Sequence, residues 1–439
     1  MFVGRKNELA KLNESYQKDG IPVVVLYGRE GMGKTTLVKE FIKDKECVYY
    51  LGRELSKKEQ RIYFDSVLKR VDFKVSSGHK VCLVIDEFDV MEKAYKDFFQ
   101  ELDETIESSA WEGRVMILLV SSSVQWIENQ MVDDMGRFAA RIGGFIKLKE
   151  FSFLEMVNRF PDCTTEECIT IYSILGGVPE YLDYWDASQG IRENIIRLIL
   201  KKDGILRKEA SRFLKTSLRE LPFYNTILSV LAEDEPKLNY LYNRTGFSRA
   251  KISVYIKNLT QIDVAEKYYS YEPKKKDSAM KGLYGISDRF IHFWYKFVFP
   301  NIPALEFGDA ETFYENYIRN ELPAFVEKTF VKVCKEFLIL MNQYGKLPGK
   351  FETPETFYGK EGIIPVVADG EKDKLLVGSC KWSVDPMDSS EFEDLLRLTE
   401  QTGQEADCYY LFSREGFTNE LSVMASGMDN IELIDLDSL

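Results

Sequence analysis

The chain has 439 residues, of which 45% are hydrophobic and 29% charged, and a formal net charge of −13. That much apolar material excludes wholesale disorder, and at roughly 150 residues per domain it predicts about three domains. No apolar run approaches the ~18 residues of a membrane span, and Met1-Phe2-Val3-Gly4-Arg5-Lys6 lacks the apolar stretch of a signal peptide, so a cytoplasmic protein without a membrane partner is expected.

The seven cysteines are scattered with no C-x-x-C pair, as reduced thiols are. The two histidines, His79 and His292, are too few for a multi-histidine metal site. Neither has a nucleophile or ligand partner nearby in sequence, so packing or surface roles are expected. Charge is uneven: −6 over 1–200, +8 over 201–300 and −15 over 301–439. Such blocks predict domains with different partners.

Val23-Val24-Val25-Leu26-Tyr27 is an unbroken β-branched run that reads as a buried parallel strand. Gly28-Arg29-Glu30-Gly31-Met32-Gly33-Lys34-Thr35 follows it, and then Thr36-Leu37-Val38-Lys39-Glu40-Phe41-Ile42 with helical spacing. Strand, G-x-x-x-x-G-K-T loop and helix make a P-loop. Glycines let backbone N–H groups curl around phosphate oxygens, and the helix start adds partial positive charge. Lys34 reaches the β- and γ-phosphates of ATP or ADP, and the Thr35 hydroxyl faces Mg²⁺. The nucleotide-binding candidates here are Gly28, Glu30, Gly31, Met32, Gly33, Lys34, Thr35 and Thr36.

Cys47-Val48-Tyr49-Tyr50-Leu51 predicts a strand, and Val81-Cys82-Leu83-Val84-Ile85 another, ending in Asp86-Glu87. This is a Walker B pattern, with Asp86 on the Mg²⁺ water shell and Glu87 orienting or deprotonating the attacking water. The spacing suits ATPases with an extra strand between the two motif strands, and the Asp-Glu pair favours hydrolysis over a kinase. Val115-Met116-Ile117-Leu118-Leu119-Val120 predicts a fourth strand, ending in Ser121-Ser122-Ser123. Ser122 is placed to sense the γ-phosphate, or the cluster simply caps a turn. Arg137 and Arg141 follow; Arg141 is the candidate arginine finger, against the commoner role of surface arginine.

Phe2-Val3-Gly4-Arg5, the P-loop, Asp86-Glu87, Phe151-Ser152-Phe153 and Gly176-Gly177-Val178-Pro179-Glu180-Tyr181 occur in this order. Together they resemble the archaeal-type ATPase family, a branch of the AAA+/STAND nucleotide switches. The resemblance implies an α/β fold: a P-loop ATPase core with a parallel sheet over 1–153, a helical lid over 154–222 and a winged helix over 223–300. It also implies that Val3, Gly4, Arg5 and Pro179 lie near the adenine, and that Arg141 is the arginine before the last core strand.

Residues 154 to about 220 show helical periodicity, as at Ile191–Leu200. Helical patterns at Tyr224–Leu231, Leu238–Arg244 and Ser248–Leu259 precede a strand at Val264–Tyr269, a basic turn and a return at Gly282–Ile286. That is a winged-helix order. Arg249, Lys251, Lys257, Lys274, Lys275 and Lys276 are candidate contacts to DNA phosphates. The alternative is a coupling module with solvated lysines. The aromatic stretch Phe290–Phe299 reads as core.

Residues 301–310 read as a linker and Phe313–Ile339 as one helix. Strands at Gly362–Ala368 and Lys374–Gly378, a helix at Phe392–Thr402 and a strand at Cys408–Phe412 follow. This resembles a PD-(D/E)xK restriction-endonuclease-like α/β domain over 301–439. The resemblance implies I-D-V-V-A and G-E-C-K-W strands, but this chain has Pro365 and Ser379 at the two acidic positions and keeps only Lys381. An inactive nuclease fold is expected, with Glu327, Glu336 and Asp369 as the replacement ligands that would keep it active. The expected function is therefore an ATP-hydrolysing switch acting on DNA or a protein, with self-association open. The alternatives are an ATP-regulated, Mg²⁺-dependent nuclease and a non-hydrolysing, ADP-bound scaffold.

Overall fold

Five strands, β1 (Val23–Tyr27), β2 (Glu46–Leu51), β3 (Val81–Asp86), β4 (Val115–Ser121) and β5 (Ile142–Lys147), form one sheet in the order β2-β3-β4-β1-β5. Every pairing is parallel. β1, β3 and β4 are buried at every position, which is why their sequences are unbroken apolar runs. β2 and β5 are the edges, and their burial alternates. The strand between the two motif strands is thus β4; β2, which lies between them in sequence, is an edge strand beyond β3.

The computed structural model describes residues 3–233, 237–272 and 282–439. The chain divides into two units, residues 1–151 with 178–183, and residues 152–177 with 184–439. In the first, helices Lys34–Phe41, Lys57–Ser76 and Phe98–Ser108 cover the sheet. Phe64, Phe98, Phe99 and Trp111 pack with Val23, Leu83 and Ile117 in one core. Fully burying each such aromatic contributes roughly 2–3 kcal/mol.

The second unit begins with helices Phe153–Val157 and Thr165–Leu175, each started by a capping box. Helices Leu221–Leu231, Leu238–Thr245 and Arg249–Gln261 precede an antiparallel hairpin of β6 (Ala265–Tyr269) and β7 (Gly282–Ile286). Gly246 ends the second of these helices at φ 69°, and the Ser248 hydroxyl caps the third. Phe290, Phe293, Trp294, Tyr295 and Phe297 are all buried, as core residues.

Two expectations fail next. The segment read as a linker contains a helix, Ile302–Phe307, anchored by buried Leu305. The single helix read over 313–339 is two, Ala310–Tyr317 and Leu322–Gln343. Pro323 sits in the first turn of the second, where its missing N–H costs nothing but where a continuous helix would be broken.

A second sheet has the order β12-β11-β10-β9-β8, from β8 (Glu355–Tyr358), β9 (Ile363–Asp369), β10 (Leu375–Lys381), β11 (Cys408–Ser413) and β12 (Ile431–Ile434). β8, β9 and β10 are antiparallel neighbours, whereas β10, β11 and β12 run parallel. Helices Ser389–Glu400 and Asn419–Ser426 make the parallel crossovers. Tyr271, just after β6, is buried in this sheet's core, and its N–H donates to Thr356 O at 2.8 Å. No helix among the described residues is long and apolar enough to cross a membrane.

Candidate nucleotide site

In a parallel sheet the loops after the strands open along one rim, and here the loops after β1, β3 and β4 meet there. The loop after β1 is tied at its start by Gly28 N–H, which donates to Ser121 O at 3.3 Å. Gly33 then adopts φ 80° and starts helix Lys34–Phe41. Lys34 is only 7% exposed, and its Nζ donates to Gly28 O at 2.8 Å and Arg29 O at 3.0 Å. Burial lowers its pKa, opposed by Glu87 and Asp86. The ammonium is thus wrapped by its own loop, satisfied by neutral carbonyls with no carboxylate bonded to it. Anionic oxygens are better partners for a desolvated cation than carbonyls are. Thr35 and Thr36 are exposed at the helix start, Glu30 is exposed on the loop and Met32 is buried under it.

Two segments brace this loop. Arg5, itself in the left-handed region at φ 59°, donates to Met32 O at 3.2 Å and Lys149 O at 2.5 Å. Its guanidinium also lies 4.6 Å from the centroid of the Phe151 ring. Arg5, preceded by Val3 and Gly4, therefore holds the P-loop to the chain after β5. From the other side Glu180 N–H donates to Gly31 O at 3.2 Å. Pro179 comes close enough that a Cβ on Gly33 would meet its ring at 3.9 Å.

At the end of β3, Asp86 is 5% exposed. Its Oδ1 accepts from Glu87 N–H at 3.0 Å, and its Oδ2 from the Tyr49 hydroxyl. Glu87 sits at φ 50°. One carboxylate oxygen accepts from Ser122 Oγ at 2.5 Å and the other from Ser122 N–H at 3.2 Å. Burial raises the pKa of Glu87 and Asp89 adds to this, whereas the Ser122 bonds and Lys34 oppose it. Ser122 therefore holds the would-be base rather than pointing on its own at a ligand. Beside it, Ser121 Oγ donates to buried Asp89 at 2.7 Å. Gly52 completes the turn: a Cβ there would fall 2.3 Å from Glu87 O.

Tyr49, Asp89 and Glu180 were not singled out from the sequence. Asp89 offered a faint signal, one helical turn after Asp86. Glu180 lies in the Gly176–Tyr181 motif but only its neighbour Pro179 drew a role; Tyr49 offered no signal, because strand pairing brings it in.

Arg141 is elsewhere. It immediately precedes β5, whose first residue, Ile142, pairs with Val23 at the start of β1. The P-loop follows Tyr27, so about five residues of strand, on the order of 17 Å, separate the two. Arg141 instead pairs with buried Asp103 and with Glu107, and Arg137 shares Asp103 at 2.7 Å. Within its own chain Arg141 is a buttress of the opposite rim, away from the P-loop.

Of the candidate DNA contacts, two lie against aromatic rings of their own segment. Lys251 Nζ lies 3.5 Å from the Phe223 ring centroid and 4.8 Å from that of Phe247. Arg249 lies over Tyr242 at 4.7 Å and donates to Asn239 at 3.0 Å. Lys257 is exposed; Lys274, Lys275 and Lys276 lie outside the described residues. Of the replacement carboxylates, Glu336 accepts from Phe153 N–H at 3.0 Å and Asp369 from the Tyr271 hydroxyl at 2.8 Å. Burial raises the pKa of Glu327. Lys381 pairs with Glu391. Among the described residues no group of three or more His, Cys, Asp or Glu could hold a metal ion.

Residues 2–76 match a family described as an ATPase domain predominantly from Archaea, and residues 294–395 match one described as archaeal and bacterial proteins of unknown function. An uncharacterized protein of Methanocaldococcus jannaschii is 28% identical over 398 residues, 87% of this chain and 88% of that one. A Walker-type ATPase of Pyrococcus abyssi aligns over 67% of this chain and 96% of its own, with a TM-score of 0.48 and 16% identity. The Aeropyrum pernix ORC2 protein, solved in ADPNP–ADP complexes, aligns over 73% of this chain and 93% of its own, with a TM-score of 0.43 and 15% identity. The N-terminal part of the chain thus carries an ATPase-like domain.

Proposed function

We propose that the chain is an ATP-binding and ATP-hydrolysing switch of the AAA+/STAND kind, acting in the cytoplasm. The observation that carries this is the placement of Lys34 inside the P-loop on the same rim as Asp86 and Glu87, with β4 and Ser122 between. Lys34 exchanges its two carbonyl partners for phosphate oxygens of ATP or ADP. The loop amides and the start of helix Lys34–Phe41 take the rest of the polyphosphate. Arg5 and Pro179 brace the loop, and with Val3 and Gly4 they would lie near the base when nucleotide is bound.

The donor set suits Mg²⁺: a hydroxyl at Thr35 and a buried carboxylate at Asp86, both hard oxygen ligands. The cation would neutralise phosphate charge when bound. Glu87 accepts a proton from the attacking water, a task to which its raised pKa is suited. The test is Lys34→Ala. Titration calorimetry with ATP and ADP should show affinity lost by at least about 100-fold, as expected when a buried charge–phosphate contact is removed. Unchanged affinity would refute the reading.

The three helices and hairpin over 221–286 support a winged-helix module. With a charge of +8 over 201–300, DNA is the target we favour, contacted by exposed Arg249 and Lys257 and by Lys274, Lys275 and Lys276. Lys251, sheathed by aromatic rings, fits packing better. For the C-terminal domain we propose an inactive nuclease-like fold. Pro365 and Ser379 stand on β9 and β10 where metal-binding carboxylates are needed, and Glu336 and Asp369 are engaged apart. Cleavage of DNA with Mg²⁺, lost in Lys381→Ala, would overturn this.

A further inference from the structure

Tyr49 and Tyr50 are neighbours on edge strand β2 and face opposite ways. Tyr50 is buried, its hydroxyl donating to Gln60 at 2.6 Å, as a packing tyrosine does. Tyr49 is 37% exposed, yet its hydroxyl reaches the nearly buried Asp86 carboxylate. The register explains the reach: Leu51 pairs with Asp86, so Tyr49, two residues back on the same face, lies diagonal to it. Asp86 Oδ1 is already held by Glu87 N–H. With Tyr49 on Oδ2, each oxygen has one fixed partner and keeps a free lone-pair direction.

We propose that Tyr49 is a positioning residue that fixes the Asp86 carboxylate to receive the water shell of the divalent cation on a bound nucleotide. This rests on the nucleotide reading above. An aspartate turns freely about two bonds; a donor mounted on a paired strand restricts it to one orientation before the ligand arrives. Replacing the tyrosine by phenylalanine keeps the ring and its packing and removes only the hydroxyl.

The test is Tyr49→Phe, read as nucleotide affinity with fluorescent ATP and ADP analogues, in EDTA and in Mg²⁺. Affinity in EDTA should stay within about twofold of native, whereas the gain on adding Mg²⁺ should fall about tenfold, the usual cost of losing an outer partner of a metal ligand. Asp86→Asn should lose the gain altogether. A Tyr49→Phe protein with an undiminished or larger Mg²⁺ gain overturns the assignment, as does equal weakening with and without Mg²⁺, which marks a structural role only. A native protein that binds nucleotide but gains nothing from Mg²⁺ overturns this assignment alone. A native protein that binds no nucleotide overturns the nucleotide reading as well.

Discussion

Ser122 grips Glu87 by both carboxylate oxygens, its hydroxyl donating to one at 2.5 Å and its backbone N–H to the other at 3.2 Å. The end of β4 therefore fixes the carboxylate that follows β3. The same two bonds stabilise the carboxylate form, against a burial that favours the acid.

A base must be ionised to accept a proton, so turnover should rise with pH through the elevated Glu87 pKa. The acidic limb of the ATPase profile should lie above the ordinary carboxylate range. Ser122→Ala removes one stabilising donor and should move that limb to still higher pH. Glu87→Gln should lower turnover by at least about 100-fold while leaving nucleotide affinity intact. Steady-state rates across pH, with affinity measured alongside, check both.

Gly31 has φ 83°, and a Cβ there would fall 2.8 Å from Glu180 Oε2. Gly31→Ala should cost roughly 1–2 kcal/mol from the left-handed backbone alone. It should also weaken nucleotide binding by pushing away the Glu180 segment. Combining it with Glu180→Ala should recover part of the loss, because the backbone strain persists. Chemical denaturation with parallel calorimetric titrations would separate the two contributions.

Asp103 is buried and shared by Arg137 and Arg141. Either Arg→Ala change should cost only about 1 kcal/mol, since the other cation remains. The double change strands a buried carboxylate and should cost about 3 kcal/mol. Nucleotide affinity of the isolated chain should not change in Arg141→Ala. A loss there would return Arg141 to the nucleotide site.

The buried Tyr271 hydroxyl donates to Asp369, which is 9% exposed, and lies 2.6 Å from the side-chain amide of Gln404. Tyr271→Phe leaves the carboxylate short of a donor and should destabilise the fold by about 1–3 kcal/mol, measured by denaturant unfolding. The N-terminal ATPase-like domain should retain its nucleotide affinity.

Salt dependence should separate the basic residues of the helical segment. Lys257→Ala should reduce the slope of DNA affinity against salt by about one. Lys251→Met, which keeps the bulk inside the Phe223 and Phe247 cage, should leave that slope unchanged.

The P-loop and Asp86-Glu87 were legible because each is a short local pattern at the end of a fully buried strand, where apolar continuity marks the strand and glycine or acid marks its end. The hairpin and the helices around Gly246 and Ser248 were legible for a similar reason, through stop and cap residues. What escaped was tertiary. Tyr49 meets Asp86 across 37 positions, and Glu180 returns to the P-loop from 149 positions away. Arg141 drew attention by its place in a motif order, but only strand register shows which rim it occupies. Lys251 read as a phosphate contact because sequence gives its charge and not the rings around it. The helix over 313–339 was overextended because apolar periodicity continued across Pro323, which begins a helix as readily as it breaks one.

The segment from Val178 to Asp183 meets the P-loop through the bond from Glu180 N–H to Gly31 O and through the side chains of Val178, Pro179 and Glu180 packed beside Gly31 and Gly33. A side chain at Gly52 would run into the Glu87 carbonyl, so only glycine lets β2 close against the end of β3. The Gly52 N–H also donates to Asp86 O at 2.7 Å, so the wall formed by β2 and β3 is welded backbone to backbone.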